Sequence, residues 1–202
     1  MKGLLRAQFK QVAAQVGAEE LAIQWQALEL RVLDFCLCLE SGRPEVGDVV
    51  TLFGGLPDEV DLVSTVGEGL RGQGLRTALF GLRVNAGGGY FPGEMDAYVV
   101  SEPSQVRRGR LGIWEPNCDQ TSLLMPDELD LVLLPGLFFS PGSGARLGRG
   151  GGYFDRYLAR VPRGVPRVGV ALEWQLRDEL PIDDHDQFMD WVVTEERVIR
   201  CG

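Results

Sequence analysis

This chain of 202 residues holds one histidine, His185. A Ser–His or Cys–His catalytic arrangement is therefore excluded at any other position. The four cysteines, Cys36, Cys38, Cys118 and Cys201, include no CxxC pair, and Cys36-Leu37-Cys38 lacks a second metal-binding half. No zinc site is expected from that spacing. The thiols read as reduced, and as mostly buried or incidental, in a cytoplasmic protein. No uninterrupted apolar stretch reaches 18 residues and the chain starts polar, so neither a membrane span nor a signal peptide is expected. Positive charge is also scarce, with 20 basic residues against 29 acidic ones and a formal net charge of −9. Without a lysine- or arginine-rich run, nucleic acid and membrane surfaces are not expected partners. No repeat or low-complexity linker divides the sequence. Its 45% apolar content suffices for one core, and a single domain over residues 1–202, monomeric or weakly self-associating, is expected.

Glycine, by contrast, is abundant and concentrated. Leu131-Val132-Leu133-Leu134 is a short continuous apolar run, the pattern of a strand covered on both faces. Pro135-Gly136 ends it. Gly142, Gly144, Gly148, Gly150, Gly151 and Gly152 follow, with Arg146 and Arg149 between them and Asp155 at the expected start of a helix. Glycines let backbone N–H groups converge on one point, and a helix N-terminus and two guanidinium groups add positive charge. Such a loop suits phosphate. Its glycine spacing in Gly142–Gly148 is GxGxxxG, not the dinucleotide fingerprint GxGxxG, and no acidic strand end follows about 20 residues on. No Gly-Lys-Ser/Thr is present either, which removes a Walker A loop.

Elsewhere the pattern alternates. Residues 2–16 and 18–39 have helical periodicity with an interruption near Gly17. Strands are predicted at Val49–Phe53, Arg76–Leu82, Ala97–Val100, Leu131–Leu134, Val168–Leu172 and Trp191–Val193. Helices are predicted at Asp58–Leu70 and 150–160, and the glycine-rich stretch 86–94 reads as a loop. Strands separated by helices favour an α/β fold, a three-layer αβα sandwich with a mostly parallel central sheet. Ligands of such sheets bind beyond the carboxyl ends of the strands.

Four segments together resemble the 5-formyltetrahydrofolate cyclo-ligase (methenyltetrahydrofolate synthetase) family. The longest is Arg146-Leu147-Gly148-Arg149-Gly150-Gly151-Gly152-Tyr153-Phe154-Asp155-Arg156-Tyr157-Leu158, similar to the family's RLGxGxGYYDRYL. Lys2–Arg6 is similar to KxxLR, and Gly112-Ile113-Trp114-Glu115-Pro116 to GIxEP. Leu180-Pro181, His185-Asp186, Asp190 and Thr194-Glu195 are similar to the C-terminal motif. The resemblance implies the architecture shared with ribose-phosphate isomerases and CoA transferases. It also implies ATP- and magnesium-dependent cyclisation of 5-formyltetrahydrofolate to 5,10-methenyltetrahydrofolate, through phosphorylation of the formyl oxygen. A divergent member that binds ATP or folate without turnover, or a sugar-phosphate isomerase on the same architecture, are the alternatives.

Carried over by resemblance, Lys2, Arg6 and Arg146 to Phe154 would hold ATP: Arg146, Leu147, Gly148, Arg149, Gly150, Gly151, Gly152, Tyr153 and Phe154. Lys2 and Arg6 lie four apart on one helix face, which by itself would be an ordinary solvated face. Glu59, Trp114, Arg149, Gly150, Gly151, Gly152 and Tyr153 would contact the folate, and Asp155 and Asp186 would bind Mg2+. Glu59 could equally be a first-turn helix glutamate, Trp114 a core residue, Asp155 a helix-start carboxylate, and Asp186 one solvated acid among several. Several positions depart from the family pattern: Ser140 replaces an aspartate, and Phe53, Leu62, Phe80 and Phe154 replace other usual residues.

Overall fold

The computed structural model describes residues 1–38, 45–56, 58–84, 89–109 and 112–202. Helices α1 (Lys2–Ala13) and α2 (Ala18–Leu37) open the chain, and Gly17 caps the second, where the periodicity breaks. Residue 39, the expected end of α2, lies outside the described residues. Next come β1 (Val49–Leu52), α3 (Thr65–Gly72), β2 (Arg76–Val84) and β3 (Tyr90–Val100). Two short strands, β4 (Val106–Arg108) and β5 (Trp114–Pro116), form a separate ribbon before β6 (Ser122–Leu124). The remainder is β7 (Leu131–Leu134), β8 (Phe138–Ser140), β9 (Ala145–Leu147), α4 (Tyr153–Leu158), β10 (Arg167–Val170), β11 (Trp191–Val193) and β12 (Val198–Arg200).

The main sheet has eight strands in the order β12-β11-β10-β7-β1-β2-β3-β6. The run β11-β10-β7-β1-β2 is parallel throughout. Strands β12, β3 and β6 are added by antiparallel pairing towards the two edges. Alternation along each strand sorts its side chains between two layers. Val50, Leu52, Leu131 and Leu133 pack with Leu28 and Val32 of α2 and with Val66 and Leu70 of α3. Val49, Val132 and Leu134 point the other way, onto Tyr157 and Leu158 of α4. The result is an α/β fold, an αβα sandwich with a mostly parallel sheet, as the pattern predicts. A third cluster seats Phe9 of α1 on Phe138, Ala145 and Leu147 of the β8–β9 hairpin, which brings the N-terminal helix to the glycine-rich segment.

Several local expectations need correction. The helix predicted at Asp58–Leu70 begins only at Thr65. Before it, the Glu59 carboxylate accepts from the Leu56 amide and the Asp61 carboxylate from the Val63 amide, local bonds that compete with helix formation. The helix predicted over 150–160 is confined to Tyr153–Leu158, because three successive glycines carry a large entropic cost in a helix. Only the later half of the glycine-rich segment is a loop: Phe138–Ser140 and Ala145–Leu147 pair as a hairpin, and Gly142 and Gly144 belong to its turn. Of the stretch 86–94, residues 86–88 lie outside the described residues, and Tyr90 onward is strand. Its pairing with β2 shifts register between Leu82 and Val84, and Pro92 lies in the stretch of β3 between the two registers. Finally, the cysteines are not mostly buried: Cys36 is, Cys201 is half-buried, and Cys38 and Cys118 are exposed, all four as free thiols.

Asp96 fastens β3 to its neighbours. Its carboxylate accepts from Arg83 on β2 at 2.8 and 3.1 Å and from Arg160, just past α4, at 3.1 Å. Burial would raise this carboxyl, but the two guanidinium groups outweigh burial and hold it below the usual carboxylate range. An acid depressed on folding stabilises the fold above its unfolded pKa, and that contribution is lost as pH falls through the folded value. Asp96→Asn is expected to cost about 1–2 kcal/mol at neutral pH, with the gap shrinking below about pH 4. Urea unfolding at pH 7 and pH 3 measures both.

Candidate active site

The chain leaves β1 towards β2 on one side of the sheet and β7 towards β10 on the other. The crevice beyond the carboxyl ends of β1 and β7 is therefore the switch point at which open α/β sheets take ligands. A cavity of about 580 Å³ occupies it, bordered by Phe53 and Gly54 after β1 and by Pro135 and Gly136 after β7. That volume lies within the range of small-molecule sites. A second cavity of about 440 Å³ lies beside Arg163, Asp190 and Trp191 and gathers none of the expected site residues.

Every residue given a binding role by the family resemblance borders the larger cavity. Lys2 and Arg6 from α1, Glu59 from the loop after β1, Trp114 from β5, Arg146 to Asp155, and Asp186 all line it. The loop forms one wall. None of the amide N–H groups from Gly148 to Gly152 donates a hydrogen bond to an acceptor among the described residues. A row of free donors beside cations is an anion cradle. The short α4 makes the helix dipole a smaller contributor than the sequence implied. Leu147 turns its side chain away, into the Phe9 cluster.

The four cations are already engaged. Lys2 Nζ lies 2.5 Å from Asp186 and 2.8 Å from Asp183. Arg6 Nε donates to the Gly148 carbonyl at 3.1 Å. Arg146, with a side chain only 3% exposed, donates to the Pro135 carbonyl at 3.2 Å and to Asp155 at 3.0 Å. Its Nε is buried without a partner. Arg149 spans Asp58 at 2.5 Å and Glu59 at 2.9 Å. Both metal candidates are thus held by cations of the phosphate wall. Partial burial would raise the Asp186 carboxyl, but the Lys2 ammonium and the Asp183 amide outweigh it and hold it low. Asp183, His185 and Asp186 place ligand atoms within 4.8 Å of one another, and Asp155 is not in that group.

The other half of the cavity is apolar and aromatic. Phe53, Leu56, Phe80, Met95, Trp114, Tyr153 and Phe154 border it, and Phe80 meets Phe154 edge-on at 5.2 Å. Trp114 already carries the Arg108 guanidinium on its ring at 4.0 Å, which leaves a stacking ligand only the remaining face. Burial raises the Glu59 carboxyl, against the pull of Arg149. Three of the departures from the family pattern, Phe53, Phe80 and Phe154, line this half. Leu62 is core, and Ser140 is fully buried with its hydroxyl donated to the Asp178 carbonyl at 2.7 Å. Ser140 does not border the cavity.

Two contributors carried no role in the sequence reading. Glu115 borders the cavity as a buried carboxylate, and its place in the Gly112–Pro116 motif was the available signal. Arg156 ties the loop down, donating to the Gly151 carbonyl and, at 2.7 Å, to the Gly93 carbonyl of β3. Only the fold brings Gly93 there.

The model of the 5-formyltetrahydrofolate cyclo-ligase family matches residues 73–195. A 5-formyltetrahydrofolate cyclo-ligase of Mycolicibacterium smegmatis is 32% identical over 146 residues, 72% of this chain and 71% of that protein. A probable 5-formyltetrahydrofolate cyclo-ligase of Schizosaccharomyces pombe is 34% identical over 120 residues, which cover 52% of this chain and 58% of the relative's length. The NMR structure of Aquifex aeolicus 5,10-methenyltetrahydrofolate synthetase superimposes with a TM-score of 0.76 at 29% identity, covering 98% of this chain and 92% of that one. That superposition extends beyond the residues 73–195 that the family model matches. This chain belongs to the 5-formyltetrahydrofolate cyclo-ligase family, a family of enzymes.

Proposed function

We infer that the chain cyclises 5-formyltetrahydrofolate to 5,10-methenyltetrahydrofolate, with ATP converted to ADP and phosphate. The observation that carries this reading is the division of one cavity into a donor-rich wall and an aromatic half. The free amides of Gly148–Gly152 flanked by Lys2, Arg6, Arg146 and Arg149 suit a triphosphate. The aromatic half suits a flat heterocycle.

An amide oxygen is a poor leaving group. Transfer of the terminal phosphoryl group to the formyl oxygen makes it a good one, N10 then attacks the formyl carbon, and phosphate departs. Such a transfer needs alignment and charge neutralisation more than a strong base. The loop amides and Lys2, Arg6 and Arg149 supply the neutralisation, and the apolar walls of the other half keep water from the reacting atoms. Asp186, grouped with Asp183 and His185, fits a magnesium ion by its donor chemistry, and Asp155 on the same cavity would be a second carboxylate for it only on the far side of the bound phosphates. A bound magnesium would offset phosphate charge there. Nucleotide binding then amounts to an exchange of partners, in which Lys2 and Arg149 pass from carboxylates to phosphate oxygens. The Ser140 departure leaves this reading intact, because that side chain satisfies itself outside the cavity.

The test is absorbance in the methenyl-folate band with purified protein, magnesium and 5-formyltetrahydrofolate, with and without ATP. An ATP-dependent rise is expected. Asp186→Asn is expected to slow it by about 100-fold or more, with the larger effect at low magnesium. A flat trace beside measurable ATP binding would instead identify a member that binds without turnover.

A further inference from the structure

The acidic turn beside the phosphate wall already holds a cation, and that cation belongs to the protein. Asp183, His185 and Asp186 set three ligand atoms within 4.8 Å of one another. The Lys2 ammonium reaches into this group, 2.8 Å from Asp183 and 2.5 Å from Asp186. The Asp186 oxygen it meets, Oδ2, also accepts from the Asp183 amide at 2.8 Å. The other oxygen, Oδ1, lies 4.0 Å from His185 Nε2. The turn is thus folded around a positive charge supplied from the far end of the chain.

Lys2 can leave without disturbing the core. Phe9, about two turns further along α1, is the one buried side chain of that helix. The start of the helix is fastened mainly by polar contacts, Lys2 on the two aspartates and Arg6 on the Gly148 carbonyl at 3.1 Å. A divalent ion arriving alone would have to displace the ammonium and leave it uncompensated beside a doubly charged neighbour, and magnesium sheds its water reluctantly. A polyphosphate changes that balance. Lys2 borders the same cavity as the free amides of Gly148–Gly152, so a phosphate oxygen seated there offers the ammonium a second anionic partner.

We propose that Lys2 plugs the Asp183–Asp186 cation seat of the ligand-free protein and keeps divalent metal out until nucleotide phosphate draws the ammonium away. This rests on the nucleotide reading of the site. It sets an order of binding, in which metal enters with nucleotide or after it.

Mn2+ alone is the probe, titrated at neutral pH into protein without nucleotide or folate and followed by loss of the EPR signal of the free ion. Lys2→Met is expected to bind Mn2+ about 10-fold or more tightly than the parent protein. Lys2→Arg retains the charge and with it the exclusion. Lys10→Met removes a charge from the same helix at a residue that does not border the cavity, and it leaves Mn2+ affinity at the parent level. Adding Asp186→Asn to Lys2→Met abolishes the gain. Equal affinity in the parent and Lys2→Met, a gain shared by Lys10→Met, or a gain that survives Asp186→Asn overturns the proposal. ATP binding in EDTA tests the exchange itself. Lys2→Met is expected to weaken it by about 10-fold, and unchanged affinity also overturns the proposal, because nothing would then draw Lys2 away. Absence of methenyl product from the parent protein would sink the cyclisation reading instead, while the Mn2+ comparison, which needs no substrate, still decides the role of Lys2.

Discussion

Arg146→Ala is expected to abolish ATP-dependent cyclisation and to lower the thermal midpoint by roughly 10 °C. The guanidinium is almost fully buried and joins the end of β7 to the start of α4 through the Pro135 carbonyl and Asp155. Truncation strands a carbonyl and a carboxylate at once. Breaking a buried pair by removing one partner costs about 3–5 kcal/mol, and in a domain of this size each kilocalorie moves the midpoint by about 2–4 °C. Activity is lost for a second reason, since Asp155 is released from the geometry that faces the cavity. Arg146→Lys is not expected to rescue, because an ammonium is a point charge and cannot span two acceptors as a planar fork does. Calorimetry, with turnover assayed well below the variant's own midpoint, separates the two effects. Full activity in a folded Arg146→Ala protein would remove Arg146 from the site.

Gly93→Ala is expected to cut turnover by about 100-fold, although Gly93 does not border the cavity. It sits at φ +76°, and a Cβ there would lie 1.8 Å from Arg156 Nη2. The same guanidinium blocks Gly152, at φ +65°, where a Cβ would come within 2.9 Å of Nη1. Arg156 is thus packed between two left-handed glycines, holding the Gly93 and Gly151 carbonyls together. An alanine at 93 pays for the left-handed backbone and also expels the clamp, costing of order 1–3 kcal/mol. Displacing the loop by about 1 Å is enough for a loss of that size in rate. Arg156→Lys should reproduce the loss of turnover without the backbone strain. Hydrogen exchange at the amides of Gly148–Gly152 should quicken in both variants, and unchanged exchange in both would show that the loop holds itself.

Much of the site was legible because its residues are clustered in sequence. The Arg146–Asp155 run, Lys2 with Arg6, and Trp114 in its motif all reach the same cavity. The strand Leu131–Leu134 was legible too, since a strand covered on both faces is a continuous apolar run. Glu59 borders the cavity, and its helical alternative fails because local side-chain bonds to the backbone leave no periodic trace. The β8–β9 hairpin was read as loop for a related reason. Its strands are three residues each, and their pairing depends on packing against Phe9.

Composition and local order by themselves determined the class of fold, and motifs confined to short segments carried the resemblance to the family. These depend on periodicity and on residues close in the chain, which act without long-range contact. Tertiary structure alone decided which partners meet: Lys2 with Asp186, Arg149 with Glu59, and Arg156 with the Gly93 carbonyl. Pairing between residues 63 to 184 apart in the chain is set by where strands end and how layers pack, and the desolvation that shifts a partly buried carboxyl such as Glu59 exists only once the core has closed.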